Sequence, residues 1–141
     1  MKAVLSAGAL ALVLPFWGTS LQAASFTTAA EVKPILAVTR ANWISVREFN
    51  GQDLLYVTHL WSWRCGLEEI RIGVNGAEPE IWPLPECHLD HAAPNSILEG
   101  DGNPYRRYPL QSIETIRIDL RYDDQSEESL TVNRLGQPVS Q

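Results

Sequence analysis

Alternation between apolar and polar positions organises most of this chain, with one helical stretch ahead of it. Val32, Ile35, Leu36, Thr39 and Trp43 recur at i, i+3, i+4, i+7 and i+11, one helical face, and predict a helix within residues 25–43. Thr28 and Glu31 have capping-box spacing. Pro34 lacks an N–H and clashes inside a helix, yet suits a first helical position, so two starts remain open.

Period two takes over at residues 42–49, where Ile44 and Val46 oppose Ser45 and Arg47. Asn50-Gly51-Gln52-Asp53 marks a turn. Residues 54–65, rich in β-branched and aromatic side chains, read as the strongest strand, with Leu55, Val57, His59, Trp61, Trp63 and Cys65 on one face. Residues 67–74 place Ile70, Ile72 and Val74 opposite Glu69 and Arg71, and Asn75-Gly76 then signals a hairpin. The return, 78–82, stops at Pro83 and Pro85 and reads as an edge strand. Residues 112–122 align Ile116, Ile118, Leu120 and Tyr122, and 128–133 bring back Leu130 and Val132 after a turn at 123–126. Residues 136–141 read as a frayed tail. One helix on an antiparallel sheet of about five strands is an α+β fold; a small β-sandwich or barrel, with the helix reduced to a turn, is the alternative.

One segment has no period. Residues 83–109 hold Pro83, Pro85, Pro94, Pro104 and Pro109 with Gly100 and Gly102, and structureless loops of this length are usually functional or disordered. This loop is where a site is expected.

The first residues are an address. Lys2, an apolar run over 3–14, a break at Pro15 and small residues up to Ala23-Ala24 have the form of a bacterial secretory signal peptide, with cleavage after Ala23 or, nearly as well, after Ala24. The run is shorter than the roughly 20 residues of a membrane span. No cysteine follows either cut, which argues against lipid anchoring. Residues 24–141 then form a single domain in the periplasm or outside the cell. Losing Lys2 leaves 10 of the 11 basic residues against 17 acidic ones, a net charge of −7. That acidity disfavours nucleic acid and anionic membranes as partners. Cys65 and Cys87 are the only cysteines, and in an exported chain they read as one structural disulfide pinning the long loop.

Candidate chemistry concentrates in that loop. Tyr105-Arg106-Arg107-Tyr108 joins guanidinium forks, which grip carboxylates and phosphates, to phenol rings, and Trp61 and Trp63 lie across the expected disulfide. These six residues are the candidate ligand or partner site. His88, Asp90 and His91 offer two imidazoles and a carboxylate suited to zinc or copper, with His59 on the neighbouring strand. Glu99, Asp101 and Asn103 alternate as in calcium loops, but the remaining ligands are missing. No catalytic signature is present, and a triad of His59, Asp90 and a serine is assembled only on paper.

Residues 53–66, Asp-Leu-Leu-Tyr-Val-Thr-His-Leu-Trp-Ser-Trp-Arg-Cys-Gly, with Trp-Pro-Leu-Pro-Glu-Cys at 82–87, resemble small secreted bacterial proteins that have no assigned activity. The resemblance spans about residues 27–122; it implies export and a single domain and carries no activity with it. The expectation is a non-enzymatic periplasmic domain that binds a protein or small molecule of the envelope, without a cofactor. The alternatives are a metal-handling protein and, behind it, a small envelope hydrolase.

Overall fold

The computed structural model describes residues 24–140 together with Pro15 and Gly18, so the expected leader lies almost wholly outside the described residues. The helix forms as α1, Ala29–Val38, and uses the earlier of its two starts. The Glu31 carboxylate accepts the backbone N–H groups of Ser25, Thr27 and Thr28 at 3.1, 2.9 and 3.2 Å, and Asp123 accepts that of Ala29 at 2.8 Å. These bonds satisfy donors around the helix start, including ones a helix N-terminus leaves open, and α1 continues through Pro34. Val32 and Leu36 are buried. A Cβ on Gly66 would come within 2.4 Å of Val32 Cγ2, so only glycine allows this approach of the helix.

Seven strands follow among the described residues. In chain order they are β1 Ser45–Phe49, β2 Gln52–Tyr56, β3 Leu67–Val74, β4 Glu80–Trp82, β5 Tyr105–Pro109, β6 Thr115–Tyr122 and β7 Glu127–Asn133. They form two antiparallel sheets, ordered β1-β2-β5 and β4-β3-β6-β7. The class is the predicted α+β; the strands are divided between two sheets rather than gathered in one of about five. Asn50 and Gly51 close the β1–β2 hairpin with φ of 50° and 74°, the left-handed pair that a tight two-residue turn requires. Residues from α1 and both sheets share one core, including Leu36, Leu55, Ile70, Ile118 and Tyr122.

Three expectations are corrected. The strand over 54–65 ends at Tyr56, and the chain turns through a short helix, α2 Thr58–Trp61, and a 3-10 turn, Arg64–Gly66. Val57, Leu60 and Trp61 are all buried, the i, i+3, i+4 spacing of a helix rather than alternation. Here the need to cross from one sheet to the other overrides β-propensity, which depends strongly on context. His59, Trp61, Trp63 and Cys65 therefore do not share a strand face.

The patternless segment is shorter than 83–109, because β5 pairs with β2 from Tyr56↔Tyr105 to Gln52↔Pro109. As an edge strand, β5 tolerates a terminal proline and exposed arginines. The C-terminal tail is not frayed. Asn133 donates to Gln137 O at 2.8 Å and Val139 to Thr131 O at 2.9 Å, so the tail folds back along β7.

An ion pair with a buried carboxylate and a partly exposed arginine joins the sheets. Asp53 on β2 receives Nη1 and Nη2 of Arg134 at 2.8 and 3.0 Å, and the N–H groups of Gln111 and Ile113 at 3.0 and 3.2 Å. The Arg134 fork, outweighing burial, holds this carboxyl far below the usual carboxylate range.

Cys65 and Cys87 form a disulfide across 22 residues. Loop closure of that length is worth about 3 kcal/mol in the chain-entropy model. Reduction is expected to lower the melting temperature by about 10 °C, measured by differential scanning calorimetry with thiol labelling to confirm the broken bond.

Candidate functional site

Arg64 builds the site. It sits in the 3-10 turn after α2, and only 2% of its surface is exposed. Its Nη1 donates to Trp61 O at 3.0 Å and Asn95 O at 2.7 Å, its Nη2 to Ser96 O at 2.9 Å and its Nε to Glu86 O at 3.0 Å. Asp101 lies 3.7 Å from Nη2. A buried guanidinium is tolerated when its donors are satisfied and a carboxylate faces it. Here the acceptors are mostly carbonyls of the segment between β4 and β5. Asn95 adds a second clamp, accepting Cys65 N–H at 2.9 Å and donating to Phe26 O at 2.8 Å. The segment is thus ordered by a disulfide, an arginine and an asparagine, without sheet pairing.

This clamp shapes a cleft of about 320 Å³. Trp61, Trp82, Leu84 and Pro85 give it apolar walls, Asn103, Tyr105 and Arg106 bring polar groups to it, and Asp101, already paired with Arg64 and His88, completes the lining. The Arg106 guanidinium lies 4.2 Å from the Trp82 ring centroid, a close cation–π stack. Arg106 donates weakly to Ile81 O at 3.4 Å and has no carboxylate partner among the described residues. The indole N–H of Trp61 is buried without a hydrogen-bond partner. A larger depression of about 450 Å³, beside Glu48, Ile113 and Arg134, is less suited to a ligand: its arginine is already paired with Asp53 and Glu48.

Of the six candidate binding residues, the cleft collects Trp61, Tyr105 and Arg106. Trp63 lies elsewhere, edge-on to Phe26 at 5.2 Å and to His59 at 6.4 Å. Strand alternation turns Arg107 to the other face, while Tyr108 shares the face of Arg106 without lining the cleft. Arg107 stands over Tyr105 at 5.5 Å, beside a second depression that Tyr105 also lines. Tyr108 is half-buried against the core, and burial raises its phenol pKa. Reading 105–108 as loop concealed this division. Leu84 and the organising Arg64 and Asn95 carry no sequence motif, and Asn103 lines the cleft rather than a calcium loop. Arg64, a cation inside an otherwise apolar run, was the one visible signal.

Of the metal trio, His88 and His91 come together, their ring centroids 5.5 Å apart. Among the described residues no three His, Cys, Asp or Glu side chains are grouped to hold a metal ion. His88 Nε2 faces both oxygens of Asp101 at 2.9 and 3.0 Å, while Asp90 and His91 are exposed. Asp101 is no calcium ligand in waiting: it accepts Leu98 N–H at 2.7 Å, which with His88 depresses its pKa. His59 is bonded to the Thr39 hydroxyl at 2.9 Å rather than to an acid.

No protein-family model matches this chain, and neither does a curated protein or a solved structure.

Arg64→Leu leaves several carbonyls without a donor and is expected to cost about 3 kcal/mol or more in a denaturant melt, with protease cutting residues 83–104 first. Lysine should not rescue it, because one ammonium cannot reproduce the planar fork. Burial lowers the His59 pKa, so the fold favours the neutral ring. Its contribution is complete above the unfolded value of about 6.5 and is lost as pH falls below it. His59→Gln should therefore flatten the decline of melting temperature between about pH 7 and pH 5.

Proposed function

We propose that this protein is a non-enzymatic, exported binding domain that takes a small ligand in the cleft between Trp61, Trp82 and Arg106. The observation that carries this reading is Arg106, a cation without a carboxylate partner, stacked on Trp82 at an apolar-walled cleft. Ligand sites combine such walls with a few fixed polar groups. The cleft volume of about 320 Å³ is at the lower end of ligand pockets and suits a compact molecule. The walls are clamped in place by Arg64 and the disulfide, so little ordering entropy opposes capture. The disulfide accords with an oxidising compartment outside the cytoplasm.

Native mass spectrometry of protein recovered from its own cells tests this. Wild type is expected to carry extra mass that is lost on unfolding. Arg106→Ala should weaken its retention by at least about tenfold, the worth of one charge-assisted hydrogen bond. A bare wild-type chain, or an adduct that survives the substitution, would overturn the assignment.

A further inference from the structure

The outer face of the three-stranded sheet carries a second, differently built surface. Its cross-strand rows are Ser45–Tyr56–Tyr105, Arg47–Leu54–Arg107 and Phe49–Gln52–Pro109. Arg47 and Arg107 thus flank Leu54 from opposite edges, their backbones about 10 Å apart across two strand spacings. Arg47 leans over Phe49, with its guanidinium carbon 5.6 Å from the ring centroid. Arg107 leans the other way along the sheet, over Tyr105 at 5.5 Å. Tyr105 in turn packs on Tyr56 at 5.1 Å. Asn50 and Gln52 add side-chain amides, and the whole surrounds a depression of about 190 Å³.

Charge makes this face unusual. Arg40, Arg64, Arg71, Arg117, Arg121 and Arg134 each have a carboxylate within 4.0 Å. Among the described residues Arg47, Arg106 and Arg107 have none, although acidic residues outnumber basic ones by 17 to 11. Two of those three meet on this face. Self-pairing would have been easy in so acidic a chain, so the face holds two cations available to an external anion.

We infer that this face binds an anionic saccharide, a glycan bearing carboxylate groups, across β1, β2 and β5. Each element of the surface has a counterpart in such a ligand. The guanidinium forks match carboxylates. Phe49, Tyr56 and Tyr105 line the depression with apolar ring surface for the C–H groups of a pyranose, and the amides of Asn50 and Gln52 match hydroxyl groups. Opposed leaning of the two arginines spreads the positive charge along the face instead of focusing it on one ion. A nucleic acid fits less well: its phosphates, one per about 1.7 Å of duplex, would be repelled by the acidic remainder of the domain, whereas a glycan with one charge per sugar meets the arginines locally. The site is separate from the Arg106 cleft, and Tyr105 is the wall they share.

The test is isothermal titration of the full mature chain with a hexagalacturonate, a neutral maltohexaose and inorganic polyphosphate as probes. Binding of the hexagalacturonate alone is expected, weakened at least about tenfold by Arg47→Gln and by Arg107→Gln separately. Arg117→Gln on the other sheet should leave it unchanged. Both substituted positions are exposed, and an unaltered melting temperature would verify that the variants are folded. No hexagalacturonate binding, equal binding of maltohexaose, equal binding of polyphosphate, or indifference to either arginine substitution would each overturn the inference. Because Arg106 is intact throughout, failure here leaves the cleft to stand or fall on its own experiment.

Discussion

The cleft depends on Arg64. Most of a domain this size is held by apolar burial and by ladder hydrogen bonds, but the stretch between β4 and β5 has neither in quantity. Its own N–H groups close short local links, such as His88 to Pro94 O and Ser96 to Ala93 O, and Pro83, Pro85 and Pro94 have none to give. One guanidinium supplies four further hydrogen bonds, to carbonyls of Trp61, Glu86, Asn95 and Ser96. Trp61 lines the cleft and Glu86 follows its Leu84-Pro85 wall, so the interaction that orders the segment also ties that segment to the turn carrying Trp61. The disulfide at the adjacent residue keeps that geometry cheap to maintain by restricting the unfolded chain.

The Asp53–Arg134 pair, with its carboxylate buried, plays the corresponding part for the sheets. It ties β2 to the beginning of β6 and the end of β7, and it supplies acceptors for two loop N–H groups that no strand reaches. Polar groups buried in this way add less to stability than to uniqueness of arrangement when every partner is satisfied. The two buried charged residues, Arg64 and Asp53, thus each join segments distant in sequence, one beside the cleft and the other between the two sheets.

Functional asymmetry follows from where arginines are paired. On the outer face of the four-stranded sheet, Arg71, Arg117 and Arg121 are matched with Glu69, Asp119 and Glu68, which leaves a solvated surface with little to offer a ligand. On the three-stranded sheet, Arg47, Arg106 and Arg107 contact aromatic rings instead of acids. A guanidinium held on a ring keeps its charge and most of its donors, and is oriented before any ligand arrives. Such preorganisation lowers the cost of binding.

Local chemistry was legible wherever one residue type answers to one local constraint. The capping box at Thr28 and Glu31, the Asn-Gly turns, the alternation of 67–74 and 112–122 and the cysteine pairing all reappear, because each depends on neighbours in sequence or on an element too regular to misread. The run at 54–65 misled because β-branched and aromatic residues also suit a buried turn of helix, and only the position of the second sheet decides between them. β5 was hidden because an exposed edge strand flanked by prolines carries no alternation to detect. From local pattern alone the chain reads as α+β ahead of a β-sandwich, with its two cysteines paired. Tertiary structure alone decided that β5 turns Arg106 to the cleft and Arg107 to the outer face, since the side a strand residue faces is set by its pairing partner, Leu55 for one and Leu54 for the other.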